Sequence, residues 1–221
     1  MRTRHTTERR DRGQAFTLEG FIGAIIILTA VLFALQAVVL TPTTGGAVDR
    51  TAQAQMEQEV QDALMVAENE GNLSEIVRYW NTSEAEHPGF HNATNQVEDP
   101  VYFYNNSDFA AENDFGTVLD EHFVERRGNS YNVDLIAYNE SGERNTVQLV
   151  RMGGGTSSSA VSASYTVTLY NGSELTSPIG EQTGTDLEEA RSDDWPYPVP
   201  PGEGLEDSDV YNVVEVRVTV W

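Results

Sequence analysis

Hydrophobic and polar positions divide this chain at its first fifth. From Phe21 to Leu40 it reads FIGAIIILTAVLFALQAVVL, with only Thr29 and Gln36 polar. A helix built from this run is apolar on every side, the pattern of a segment surrounded by lipid or by other helices. At 1.5 Å per residue it reaches about 30 Å, the thickness of a bilayer's hydrocarbon core. The expectation is therefore a transmembrane helix. Thr41-Pro42-Thr43-Thr44-Gly45-Gly46 interrupts it, because Pro and paired Gly disfavour continuation. Apolar periodicity returns at Val48, Ala52, Met56, Val60, Leu64 and Ala67. That stripe predicts a second helix from Val48 to Glu70, which Gly71 stops. Asn72-Leu73-Ser74-Glu75 has the form of an N-cap with an acid at the third helical position, opening a short helix through Trp80.

Residues 82–114 form a polar connection dotted with aromatics, and a short helix is expected over Gly116–Arg126. Alternation of period two then takes over. Tyr131, Val133, Leu135 and Ala137 predict one strand, Thr146–Met152 a second, and Val161, Ala163, Tyr165, Val167 and Leu169 a third. Asn139-Glu140-Ser141-Gly142 predicts the first turn, Gly153–Ser159 a flexible loop, and Asn171-Gly172 a tight hairpin. After a Pro-rich acidic stretch from Asp193 to Asp209, Val214, Val216, Val218 and Val220 predict a last strand buried on one face. The expected fold class is α+β: an N-terminal hydrophobic transmembrane or assembly helix, then a mostly antiparallel β headgroup. Its parts are a basic leader (1–13), the hydrophobic helix (14–45), a helical stalk and connection (46–127) and a β-rich headgroup (128–221).

Charge sharpens this division. The 221-residue chain carries a formal −22, all 13 of its basic residues are Arg, and it has no Lys. Residues 1–13 hold five Arg against Glu8 and Asp11, a local +3, so the remainder carries −25. Arg2, Arg4, Arg9, Arg10 and Arg12 ahead of the apolar run place the N-terminus in the cytoplasm and the acidic part outside, by the positive-inside rule. An acidic surface without Lys is the habit of halophilic proteins, whose self-repulsion molar salt screens. It also excludes nucleic acid as a partner, since phosphate contacts need a basic surface. With no Cys, disulfides and thiolate metal sites are excluded.

Six N-x-S/T sequons, at Asn72, Asn81, Asn92, Asn105, Asn139 and Asn171, are candidate glycosylation sites on an exported chain. With 14 Asn and 34 Ser or Thr, roughly two would arise by chance. His87 and His91, with Glu84 and Glu86 nearby, have ligand-capable spacing only in a helix, and Pro88-Gly89 breaks one. Glu206, Asp207 and Asp209 lack a regular calcium-loop pattern. Gly153–Gly155 has no following Lys, and no nucleophile elbow occurs. No enzyme activity, metal or cofactor is expected.

The most informative residues precede the helix: Arg12-Gly13-Gln14-Ala15-Phe16-Thr17-Leu18-Glu19. This segment resembles the processing site of type IV prepilins, and its R-G-Q start with a Thr-x-Glu element is similar to archaeal class III signal peptides. The resemblance implies a haloarchaeal type IV pilin or minor pilin that a prepilin peptidase cuts between Gly13 and Gln14, or alternatively between Ala15 and Phe16. It also implies that Glu19 pairs with the N-terminal amine of a neighbouring subunit, although the family places this Glu fifth after the cut. Here it stands sixth or fourth. Gly20 and Ala24, and likewise Ala30 and Ala34, are spaced for close helix packing. The expected partners are membrane lipid, the peptidase and other subunits, with a possible adhesive role outside the cell. An unprocessed single-pass envelope protein with an extracellular binding domain is the alternative.

Overall fold

The computed structural model describes residues 5–38, 43–82, 89–96, 102–153, 159–178, 182–191, 197–205 and 208–221. It divides into two compact units, Met1–Asp49 and Arg50–Trp221.

The first unit is dominated by one long helix, α1 (His5–Val38). It starts within the basic leader and runs without a break through Gly13 and Glu19 into the apolar stretch. Thr29 stays inside it by donating its hydroxyl to the Ile25 carbonyl at 2.7 Å, which satisfies the polar side chain locally. The expectation of a transmembrane helix over 14–45 is corrected. Among the described residues no helix is long and apolar enough to cross a membrane. The helix is mixed in character, carrying Glu8, Arg9, Arg10, Asp11, Arg12 and Glu19 along with the apolar run.

The second unit has mixed helices and antiparallel sheets. Helix α2 (Thr43–Asn69) enters it and ends two residues before Gly71, whose φ of 84° is the left-handed stop the sequence implied. Of the predicted stripe, Val60, Leu64 and Ala67 are buried and Met56 packs against them, whereas Ala52 is exposed. Helix α3 (Asn72–Val77) follows without the expected Asn72 cap. Gly71 holds the cap position, and Asn72 is the first helical residue. The chain then makes short strands β1 (Trp80–Asn81), β2 (Gly89–Phe90), β3 (Asn95–Gln96) and β4 (Tyr102–Phe103), pairing β1 with β2 and β3 with β4. Helices α4 (Asn106–Glu112) and α5 (Asp114–Leu119) come next, and α5 widens into a π-helical turn over Asp120–Glu125.

The main sheet is built from β5 (Tyr131–Tyr138), β6 (Arg144–Val150), β7 (Val161–Tyr170) and β10 (Val210–Val220). Its order is β6-β5-β10-β7, antiparallel throughout, so the last strand lies inside the sheet. Between β7 and β10 lie the small pair β8 (Glu174–Thr176) and β9 (Gln182–Asp186) and the turn α6 (Leu187–Ala190). Register explains the alternation read from the sequence. Val216 sits between Leu135 and Tyr165, Val218 between Val133 and Ala163, and Val220 between Tyr131 and Val161. These rows share one buried face with Leu73, Ile76, Phe109, Phe115, Leu119 and Phe123 from the helices. The opposite face carries Asp134, Ser162, Ser164, Thr166, Glu215, Arg217 and Thr219.

One expectation about pairing fails. Asn171-Gly172 does make a turn, with Ser173 N–H donating to the Tyr170 carbonyl, but it does not close a hairpin on β7. The partner of β7 is β10, with Val214 opposite Val167, and β8 pairs with β9 instead. The turn residues are right for a hairpin. Four alternating valines in β10 bury more apolar surface beside β7 than Glu174-Leu175-Thr176 would.

The end of the Pro-rich stretch is tied down. Tyr197 donates its hydroxyl to the Val77 carbonyl at 2.6 Å, and Tyr211 donates to the Val199 carbonyl at 2.8 Å. Buried Asn212 donates to the carbonyls of Tyr138 at 2.9 Å and Pro200 at 2.7 Å. Each such bond contributes about 1 kcal/mol net, and a lost one costs more because its partner stays buried.

Candidate functional site

The residues singled out before the apolar run lie in one helix. Gly13, Gln14, Ala15 and Phe16 fall inside α1, so both candidate scissile bonds are helical. Glu19 is exposed on its surface, as are Gly20, Ala24 and Ala30, while the Ala34 side chain lies outside the described residues. A methyl group added at Gly20 or Gly23 would meet nothing within 4 Å. Around them Leu18, Phe21, Ile26, Ile27, Leu28 and Phe33 are each between 60% and 71% exposed. At 100° per residue these positions cover the whole circumference of the helix.

The six sequons differ in what their side chains do. Asn105 caps α4: its Oδ1 accepts from the Asp108 N–H at 2.8 Å, and its Nδ2 donates to the Asp108 carboxylate at 2.9 Å. Asn139 builds the β5–β6 turn by accepting from the N–H groups of Ser141 and Glu143, both at 2.9 Å. Asn171 donates Nδ2 to the Ser208 carbonyl at 2.9 Å, tying the turn after β7 to the approach to β10. Asn81 is half-buried in β1, opposite Gly89. Asn72 is half-buried and Asn92 exposed, and their Nδ2 atoms donate to the carboxylates of Glu70 at 3.2 Å and Glu112 at 2.8 Å. Asn92 has a φ of 58°, a turn conformation that Asn tolerates better than most residues. Nothing in the N-x-S/T pattern separates a capping Asn from an exposed one, because the cap depends on backbone three residues away.

A shallow cavity of about 240 Å³ is lined by Glu140, Asn171, Glu188, Arg191, Gly202 and Tyr211 among others. Two of its lining residues, Arg191 and Glu140, pair at 3.5 Å, both about half exposed. Burial pushes the Tyr211 hydroxyl up to about 12, with Arg191 opposing and Glu140 and Glu188 reinforcing the shift, so it stays a donor. Among the described residues that line it, no nucleophile stands beside a base.

His91 is placed by packing: its ring lies 4.8 Å from that of Tyr79, and its carbonyl accepts from the Tyr104 hydroxyl. Glu84, Glu86, His87, Glu206 and Asp207 lie outside the described residues. Among the described residues no group of three His, Asp or Glu side chains converges to hold a metal ion. On the outer face of the sheet, Arg217 stands opposite Asp134 and donates to Glu215 at 2.7 Å. Burial raises the Asp134 carboxyl despite Arg217 and Arg144. Burial also acts to raise Glu215, but hydrogen bonds from Arg217 and Ser164 outweigh it and hold that carboxyl low.

No curated protein and no solved structure matches the chain. The sequence does match, over residues 12–220, the family described as a family of unknown function, DUF7288. With only the first eleven residues and Trp221 outside that match, the chain belongs to the DUF7288 family.

Proposed function

We propose that this chain is a non-enzymatic structural subunit of a cell-surface assembly of the type IV pilin kind, cut from its basic leader after Gly13 and joined to its neighbours through α1. The observation that carries the reading is the ring of exposed apolar side chains from Leu18 to Phe33, with Glu19 at its edge. Each large side chain recovers about 1.5–3 kcal/mol when fully buried. A partner on one side would leave half of them in water, so the helix needs apolar neighbours all round, as in a bundle of like helices. Cleavage after Gly13 removes the +3 leader and creates an amine at Gln14. Glu19, exposed beside the apolar ring, supplies the opposite charge to such an amine on an adjacent subunit. Its partners are then other copies of the chain and a prepilin-type peptidase. The acidic unit 50–221 is displayed outward, where it serves surface contact.

The N-terminal residue of protein recovered from the cell surface tests this directly. A start at Gln14 is expected, and a start at Phe16 moves the cut without changing the reading. An intact Met1 or Arg2 overturns it. Glu19→Ala is expected to lower incorporation into surface filaments while cell-associated protein stays at its normal level. Unchanged incorporation removes Glu19 from this role.

A further inference from the structure

We infer that the outer edge of β7 is a self-association surface, on which the β7 strand of a second copy pairs antiparallel about a two-fold axis. This surface belongs to the unit Arg50–Trp221 and makes no use of α1.

Among the described residues the two edges of the main sheet are treated differently. At β6 the edge is partly covered: Tyr104 N–H donates to the Leu149 carbonyl, Arg151 N–H donates to the Tyr104 carbonyl, both at 2.9 Å, and Asn145 donates its amide to the Pro198 carbonyl at 2.8 Å. At β7, ten residues long, no described strand or bridge lies beyond the one pairing with β10. Every second residue of an antiparallel strand turns its N–H and C=O away from its neighbour, and since both groups of Tyr170 bond Ser173, β7 offers about four donors and four acceptors on its free side. Proteins normally blunt such an edge with charge, Pro or a bulge. Strand β7 (VSASYTVTLY) has no charge and no Pro. The one irregularity in its ladder falls at the far end, between Val210 and Asn212.

Charge selects the occupant. From Met152 to Ser173, 22 consecutive residues carry no charge, in a chain that is 22% charged. At that average about five charges would be expected there. The other three strands of the sheet carry Asp134, Arg144, Glu215 and Arg217. Two copies bearing −22 each repel wherever acidic surfaces meet, and this strip lets their backbones approach without facing carboxylates. A basic partner would favour the acidic surface instead. An uncharged strand of equal length suits the edge best, and β7 of a second copy is one. Two-fold antiparallel pairing also sets Ser and Thr side chains of the exposed face beside their own counterparts, a favourable cross-strand combination.

The chain has no Cys, so single cysteines report the pairing directly. The full-length chain is held in mild detergent at molar salt and treated with a thiol oxidant. Ser164→Cys, Thr166→Cys and Thr168→Cys are compared singly and in equimolar mixtures, with Thr146→Cys on β6 as control. One β7 position or mixed pair should yield disulfide-linked dimer at least ~10-fold above the control, because the bond needs Cα atoms within about 7 Å. Association through α1 alone would give no preference for β7 over β6. Equal yields at all positions, or no dimer, overturn the proposal, as does a β7 cross-link in whole cells only to a different protein. Thr166→Glu places two carboxylates near the axis and should weaken the mixed cross-link between Ser164→Cys and Thr168→Cys, the more so as the salt is diluted. An unchanged yield also counts against the pairing, provided the thermal melt shows that Thr166→Glu is folded.

Discussion

At the scale of single residues, Gly116 has the least room. A Cβ there would stand 2.4 Å from the Phe109 carbonyl oxygen and 2.7 Å from its carbon, both backbone atoms that cannot swing aside. The contact lets α5 turn back onto α4 after Asn113, whose Oδ1 accepts from the Phe115 N–H at 2.8 Å. Gly116→Ala is expected to destabilise by roughly 1–3 kcal/mol. Gly172→Ala, with nothing within 4 Å of the added methyl group, should change stability by less than about 0.5 kcal/mol. Denaturant midpoints of the two variants, at unchanged slope, check the contrast. The sequence contained no sign of it. Gly116 reads there as one glycine at the start of a short predicted helix, and only the path of α4 shows why a side chain is excluded.

At the scale of elements, the outer face of β5 and β10 carries two carboxylates with opposite behaviour. Asp134 is raised by burial from an ordinary value of 3.8, so its contribution favours the folded state below that value and is lost as pH rises through its higher folded pKa. Glu215 is held low by its bonds from Arg217 and Ser164, so its contribution is present above its ordinary value of 4.5 and lost as pH falls through the lower folded one. Unfolding free energies measured across mildly acidic pH for the native chain and Asp134→Asn should therefore diverge. The native chain loses stability relative to the variant as pH rises above about 4. A parallel pair of curves would remove Asp134 from this account. The period-two alternation had marked these strands, including Val133, Leu135 and the valines of β10. It gave no means of pairing Asp134 with Arg217, which are 83 positions apart and meet only through register.

At the scale of the whole molecule, charge governs behaviour in solution. Three ion pairs are formed among the described residues, Arg127–Glu59, Arg191–Glu140 and Arg217–Glu215, and in each both side chains are more than a quarter exposed. Thirteen Arg against 35 carboxylates leave most acids without a cation. Diluting salt from molar to 0.1 M lengthens the screening distance from about 3 Å to about 10 Å and exposes that repulsion. The midpoint of thermal unfolding should fall on dilution. A midpoint that rises or stays level would mean that the acidic surface is not a salt adaptation.

Local chemistry and periodicity determined several features from the sequence alone. These are the apolar helix, the left-handed stop at Gly71, the strands around Val133, Val167 and Val216, and the acidic balance. Each depends on residues within a few positions of one another, which is the reach of helical and strand periods. Tertiary structure alone decided that β10 enters between β5 and β7 and that Asn171-Gly172 turns the chain out of the sheet. It also decided that the edge at β6 is partly covered while the edge at β7 carries no described partner strand. These outcomes are competitions between distant segments for the same backbone hydrogen bonds and the same buried surface. The total area buried settles them, and no local pattern encodes that total.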